Sequence, residues 1–221
     1  SPRSDSGFQF VMRLHESGSK TLMGQSIPSA AASIGMTEGE QAIRFLANHP
    51  ATAQRVSRRL AEYFVADSPP QDLIDLMAKT FLASGGDIYQ VMKVMLNHAA
   101  FWDPENKLYR TPYDFACASL RVLNMPQDRF KWLQAFGYSA VAGHAIQNWQ
   151  TPDGYSFNAN TWFTPEALTR RIDFALNISR NASERSDLYP YLGDNTKKAV
   201  MNQAPQQRMG FVLGSSEMVF K

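Results

Sequence analysis

Prolines stand at the heads of apolar stripes in this sequence, and that placement constrains the fold more than any other feature. Thr111-Pro112 and Thr164-Pro165 each put a capping hydroxyl directly before a proline. Proline costs nothing at the first helical position, because that N–H has no helical partner and the fixed φ suits the first turn. Asp114, three residues after Thr111, adds a close cousin of the capping box. Pro50 acts in the same way at a junction. It pushes His49 out of the α region, which ends one helix, and it opens the next. These recurrences are capping chemistry and share no fixed period, so they do not mark a solenoid.

Between the caps the apolar spacing is helical. In "TEGEQAIRFLANH", Thr37 and Glu40 read as a capping box, with Ile43, Leu46 and Ala47 on the apolar face. Val56, Leu60 and Phe64 recur every four residues and read as a buried stripe. Arg55, Arg58, Arg59 and Glu62 lie off it as a solvated face. Leu73, Leu76, Met77 and Phe81 form the next stripe, which Gly85 and Gly86 stop. Asp87 then caps a segment carrying Ile88, Val91, Met92, Met95 and Ala99. "RFKWLQAFGYSAVAGHAIQ" reads as one or two helices with breaks available at Gly137 and Gly143. The C-terminal stretch reads as two short helices parted near Pro205. The one clear β signal is "FQFVMRL" and "KTLMGQ" flanking "HESGS", a hairpin over residues 8–25. The expected fold is mainly α: a compact multi-helix domain with one N-terminal β-hairpin, a helical body over 37–221 and a long irregular loop rich in aromatics. No low-complexity linker divides the chain, so residues 1–221 read as a single domain.

Composition narrows the function classes. The chain is 44% hydrophobic and 19% charged, as a globular protein is. Its net charge of +2 carries no basic run, which argues against nucleic acid as a main partner. No apolar run approaches the ~18 residues of a transmembrane helix. Cys117 is the single cysteine, so no intrachain disulfide can form. The sequence opens at Ser1 without a leader pattern and reads as a fragment or a processed chain.

Candidate catalytic residues are few. His15, Glu16 and Lys20 sit on or beside the expected hairpin loop. A histidine next to a carboxylate can do acid–base work or hold a metal, but neighbours in a strand point to opposite faces, and a loop-pinning set of hydrogen bonds is the plainer reading. His49 reads as a junction residue bonding free backbone groups, with a catalytic role as the alternative. His98 and His144 have no partner at ligand spacing, and no metal motif is present. Cys117, in "FACASL", reads as a packed core thiol. Ser215 and Ser216 lack a nucleophile elbow. One of Arg121, Arg170 and Arg171 is expected to turn inward toward a carboxylate or a helix C-terminus. The best ligand-binding candidate is the loop Asn148–Phe163. Trp149, Tyr155 and Trp162 can stack on sugar rings, while Asp153, Asn158 and Asn160 can bond hydroxyl groups. The competing reading has the rings plugging the loop into the helices.

Six phrases taken in order carry a family resemblance: "HESGSKTLMG", "LANHPATAQRVSRRLAEYFVADSPP", "FLASGGDIYQVMKVMLNHAAFW", "RTPYDFACASLRVLN", "TPDGYSFNANTWFTPEALTRRIDFA" and "VLGSSEMVFK". The chain resembles the C-terminal half of the bacterial domain of unknown function 1800 family. The resemblance implies a bacterial protein that is periplasmic or otherwise exported, since many members carry export signals. It also implies a partner in the domain of unknown function 1501 family, whose genes often lie adjacent. It supplies no catalytic residues and no cofactor. Glu16 stands where the family commonly has Asp, and Ser156 where it often has Pro. The expected function is a binding or scaffold module. The alternative is half of an envelope enzyme, a glycan-acting hydrolase whose site needs a missing N-terminal half.

Overall fold

The computed structural model describes residues 7–30, 34–125 and 127–221. It is mainly helical with one two-stranded antiparallel sheet. The chain gathers into two compact units, one of residues 1–60 with 70–98, the other of residues 61–69 with 99–221.

In the first unit, strands β1 (Lys20–Leu22) and β2 (Gln25–Ile27) pair antiparallel, with Thr21 opposite Ser26. The hairpin is therefore shorter than the 8–25 expected and lies at the end of that span. Its turn is Met23–Gly24, where φ is +49 and +82. Two left-handed residues match the twist of tightly joined strands. Methionine is an unusual occupant of such a site, which hid the turn from sequence reasoning. Residues of "FQFVMRL" form instead a short 3₁₀ turn, Met12–Leu14.

Helix α1 (Met36–Ala47) starts from Gly35, not from Thr37. Thr37 lies inside the first turn and gives its hydroxyl proton to the Ile34 carbonyl. The expected capping box is absent. Helix α2 (Pro50–Phe64) begins at Pro50 as expected. Its buried face is not the expected one: Ala53, Ser57 and Ala61 are buried, while Phe64 is 42% exposed and Val56 and Leu60 are only partly covered. Both rows have a four-residue period, and the small residues allow the closer approach. Arg55 and Arg58 are exposed, and Arg58 bonds Gln71 of helix α3 (Gln71–Ala83). In α3, Leu73, Met77 and Phe81 are buried with Ile74 and Ala78, but Leu76 is exposed. The helix closes on Gly85 and Gly86. Gly85 donates to the Leu82 carbonyl and Gly86 to that of Phe81, the paired bonds of a left-handed C-cap. Asp87 caps helix α4 (Ile88–Asn97) by accepting from the Tyr89 and Gln90 amides. Val91 and Met95 are buried there, whereas Ile88 and Ala99 are exposed.

The second unit holds the short helix α5 (Ala99–Trp102) and helices α6 (Pro112–Val122), α7 (Arg129–Val141), α8 (Ala159–Trp162), α9 (Pro165–Ile178), α10 (Asp194–Met201) and α11 (Pro205–Leu213). Thr111 and Thr164 cap α6 and α9 through the Asp114 and Ala167 amides, with Pro112 and Pro165 in the first turn. Phe115, Leu120, Ile178, Met209 and Leu213 anchor the core. Cys117 is partly buried, less enclosed than a core thiol. The C-terminus pairs back onto the segment before α6, with Leu108 and Lys221 exchanging backbone hydrogen bonds.

Of the three candidate arginines, Arg171 turns inward, and it is only 4% exposed. Its partners are not a carboxylate. It donates to the Tyr109 hydroxyl at 3.1 Å, the Arg110 carbonyl at 3.1 Å and the Met218 carbonyl at 2.7 Å. Its guanidinium carbon lies 3.8 Å from the Phe115 ring centroid. Burial lowers the Arg171 pKa, but a guanidinium remains charged.

Two substitutions in α2 test its buried face. The Ser57 hydroxyl is buried and has no hydrogen-bond partner. Ser57→Ala is expected to stabilise the protein by roughly 0.5–1 kcal/mol, since it removes that orphan and raises helix propensity. Ser57→Leu is expected to cost about 1–3 kcal/mol by overpacking. Urea denaturation reads both; a Leu variant as stable as wild type would place Ser57 off the packed face.

Candidate functional site

The loop Asn148–Phe163 is built against the end of α7. That helix ends on Gly143, whose φ is +85. Gly143 donates to the Ala140 carbonyl and His144 to that of Ser139, the pair of bonds that defines a Schellman ending. This reversal lays the His144 imidazole on Trp162, with ring centroids 5.1 Å apart and planes 18° apart. Tyr155 covers His144 at 4.2 Å, and Trp149 tilts over Tyr155 at 4.8 Å. The four rings form a continuous ladder, Trp149–Tyr155–His144–Trp162.

Polar bonds fix three of the four rungs, whereas the buried Nδ1 of His144 has no hydrogen-bond partner. The Trp162 indole N–H donates to the Ser156 carbonyl at 2.9 Å, and the Tyr155 hydroxyl to that of Ala145 at 2.7 Å. The Trp149 indole N–H donates to Asp153 at 3.0 Å, and the Thr151 hydroxyl bonds the same carboxylate oxygen. Asn158 Oδ1 accepts the Asn160 amide and so caps α8. The Asp67 carboxylate accepts the amides of Tyr109 and Ala159. It thereby ties the loop to the strand-like segment before α6.

Exposure grades along the ladder. Trp162 is 8% exposed, Tyr155 is partly covered, and Trp149 is 47% exposed. The inner end is a plug, and the outer end is open. Beside the inner end lies a cleft of about 330 Å³ lined by Gly143, Trp162, Thr164, Glu166 and Arg170. Arg170 bonds Glu166 at 2.6 Å and the Val141 carbonyl at 2.9 Å. Burial lowers the His144 pKa, against a smaller opposing pull from Asp114, so the ring is disposed to be neutral within the stack.

The candidate catalytic residues do not come together. Glu16 is exposed, and its backbone carbonyl accepts from Lys20. His49 Nδ1 accepts the Ala51 amide at the head of α2, and its ring packs on Phe45. That is the junction role. His15 pairs instead with Glu38, at 3.3 Å. Sequence reasoning missed Glu38, whose partners lie 23, 18 and 8 residues away along the chain. Its position in the first turn of α1 was the only local signal. The Lys20 ammonium, first, and then the Ala30 amide hold the Glu38 carboxyl at about 2, well below its ordinary 4.5. Among the described residues, no group of three or more His, Cys, Asp and Glu side chains is placed to hold a metal ion.

Fold and site together define a mainly helical protein with a preorganised aromatic surface. The chain belongs to the family described as Protein of unknown function (DUF1800), whose model matches residues 1–218. Neither the curated proteins nor the solved structures give a match. No helix among the described residues is long and apolar enough to cross a membrane.

Two outcomes are expected. Trp162→Ala is expected to cost roughly 3–5 kcal/mol, while Trp149→Ala is expected to cost far less, because only Trp162 is fully packed. Calorimetry of both variants checks this, and equal losses would remove the graded ladder. The second outcome concerns pH. A depressed carboxyl contributes stability above its unfolded pKa and loses it as pH falls through the folded value. Glu38 therefore supports the hairpin fully above about 4.5 and loses that support toward about 2. Amide shifts of Thr21 and Ser26 followed by NMR are expected to move in that window, and not in Glu38→Gln.

Proposed function

We propose that this chain is a carbohydrate-binding module of an exported bacterial protein, with the Trp149 end of the aromatic ladder as its platform. One observation carries the reading: an indole nearly half open to solvent whose ring is held in place by Asp153 and Tyr155. A fixed aromatic offers an apolar face to a sugar ring at little entropic cost. Asp153 and the exposed Asn160 stand at the rim as groups for hydroxyls. Trp162 supports the platform from beneath instead of touching sugar, and Asn158 does so by capping α8.

A binding role fits this surface better than hydrolysis. The ladder carries no pair of carboxylates facing each other across a cleft, which glycoside hydrolysis ordinarily needs. Glu166 lines the neighbouring cleft but is engaged by Arg170. The resemblance that implies an exported setting also makes a member of the domain of unknown function 1501 family the protein partner in this proposal.

Tryptophan fluorescence titrated with chitopentaose and with cellopentaose tests it. Quenching by at least one oligosaccharide is expected, lost in Trp149→Ala and retained in Trp102→Ala, an exposed indole outside the loop. No quenching by either sugar, or quenching that survives Trp149→Ala, would overturn the reading.

A further inference from the structure

The first unit contains a second cavity, of about 290 Å³, which the sugar-binding reading does not use. Its walls are apolar: Phe8, Phe10, Ile27, Met36 and Ala42 line it. His15, Lys20 and Glu38 bring the polar groups.

Donors and acceptors there can be counted. Glu38 is 4% exposed. Its Oε1 accepts the Ala30 amide at 2.6 Å, and its Oε2 accepts both Lys20 at 2.6 Å and His15 Nε2 at 3.3 Å. Lys20 has three N–H groups and uses all of them, on Glu38, the Glu16 carbonyl at 2.8 Å and the Gly18 carbonyl at 3.1 Å. The carboxylate can only accept, so His15 Nε2 carries the proton of that bond. In the neutral ring Nδ1 is then an acceptor, and no group among the described residues bonds to it. In this cluster both Glu38 oxygens and all three Lys20 N–H groups have partners, whereas His15 Nδ1 has none among the described residues.

The ring is held for that purpose on two sides. Phe10 packs against it, with centroids 5.5 Å apart. Gly35 lies below it. A Cβ at Gly35 would come within 2.9 Å of His15 Cε1 and 3.0 Å of Nε2, so only glycine lets the imidazole rest on the head of α1.

We propose that this cavity binds a small, neutral, apolar molecule bearing one hydroxyl group, an alcohol or a phenol, whose O–H donates to His15 Nδ1. The apolar walls take the hydrocarbon part, in the usual manner of a small-molecule site. A carboxylic anion is refused, because it would meet a bare lone pair next to the buried Glu38 charge. This site is independent of the sugar platform and stands or falls without it.

The test uses the full chain, with p-cresol, toluene and p-methylbenzoate as probes and ¹⁵N-edited NMR of the histidine rings as the readout. At mildly alkaline pH, p-cresol is expected to move the His15 Nδ1 resonance and to bind on the order of fivefold tighter than toluene, the worth of one net hydrogen bond. The benzoate is expected to leave it unmoved. Ala42→Phe fills the cavity and is expected to abolish binding of both p-cresol and toluene. His15→Gln is expected to bring p-cresol down to the toluene level. If His15→Gln disturbs the hairpin, seen in the Thr21 and Ser26 amides, the wild-type comparison and Ala42→Phe still decide. No binding by p-cresol, equal binding of p-cresol and toluene, tighter binding of the benzoate, or binding that survives Ala42→Phe would each overturn the proposal.

Discussion

Arg171 is the interaction on which the larger unit depends. A guanidinium buried without a carboxylate costs desolvation, and the cost must be offset locally. The offset comes from three oxygen acceptors on two separate segments, the Tyr109–Arg110 strand and the Met218 turn, and from the Phe115 ring beneath. A planar fork can reach such divergent acceptors together, and it is weakly hydrated enough to lie on an aromatic face. The consequence is topological. Helix α9 carries the arginine, α6 carries Phe115, and the acceptors belong to the segment before α6 and to the C-terminal turn. One side chain thus holds together elements far apart in the sequence. The Tyr109–Phe220 bridge, the Lys221–Asp114 ion pair and the partly buried Arg110 are arranged around it.

Glu217 performs a related task at the same turn. Burial alone would raise its pKa, but the Gly193 amide and the Thr196 and Ser216 hydroxyls outweigh that and hold the carboxyl at about 2. Gly193 precedes α10, whose first turn has no capping side chain of its own. The carboxylate, from a distant part of the chain, therefore accepts the N-cap residue's own amide and the Thr196 hydroxyl, and it also favours the positive end of the helix dipole. Close to Arg171, the C-terminal turn is fixed by charge in two directions, cationic toward the core and anionic toward α10.

What could be read from the sequence was local. Thr111, Thr164, Asp87, Pro50 and Gly143 act through bonds to residues within a few positions, so composition and spacing reveal them. The buried face of α2 was not legible, because Ala53–Ser57–Ala61 and Val56–Leu60–Phe64 share one period. Only the packing distance selects the small-residue row. Arg171 could be suspected of turning inward, yet nothing in the sequence distinguishes a carboxylate partner from carbonyls and rings. Glu38 was illegible for the same reason: its role arises from partners supplied by the hairpin and by the segment before α1. The aromatic loop was legible as a feature, since its composition breaks the helical pattern. The gradient from plug to platform was not, because His144, outside the loop, supplies a rung.

The two cavities differ in how their polar groups are spent, and that difference bears on chemistry. At the ladder, hydrogen bonds hold Trp149, Tyr155 and Trp162 in place, and Trp149 stays nearly half open beside the Asp153 carboxylate. In the proposed reading such a surface discriminates by shape and stacking. In the smaller unit, Lys20 and Glu38 spend their hydrogen bonds on each other, on backbone groups and on His15, so their charges offset one another inside the protein. Their effect is to fix the tautomer of His15, a residue that lines the apolar cavity, and so to leave its Nδ1 as an acceptor. A carboxylate that fixes an imidazole is the arrangement that acid–base enzymes use. Among the described residues, no hydroxyl or thiol side chain lines the same cavity to be activated. The arrangement recognises a proton donor on a ligand, and chemistry beyond recognition would need that ligand, or water beside it, to supply the reacting group.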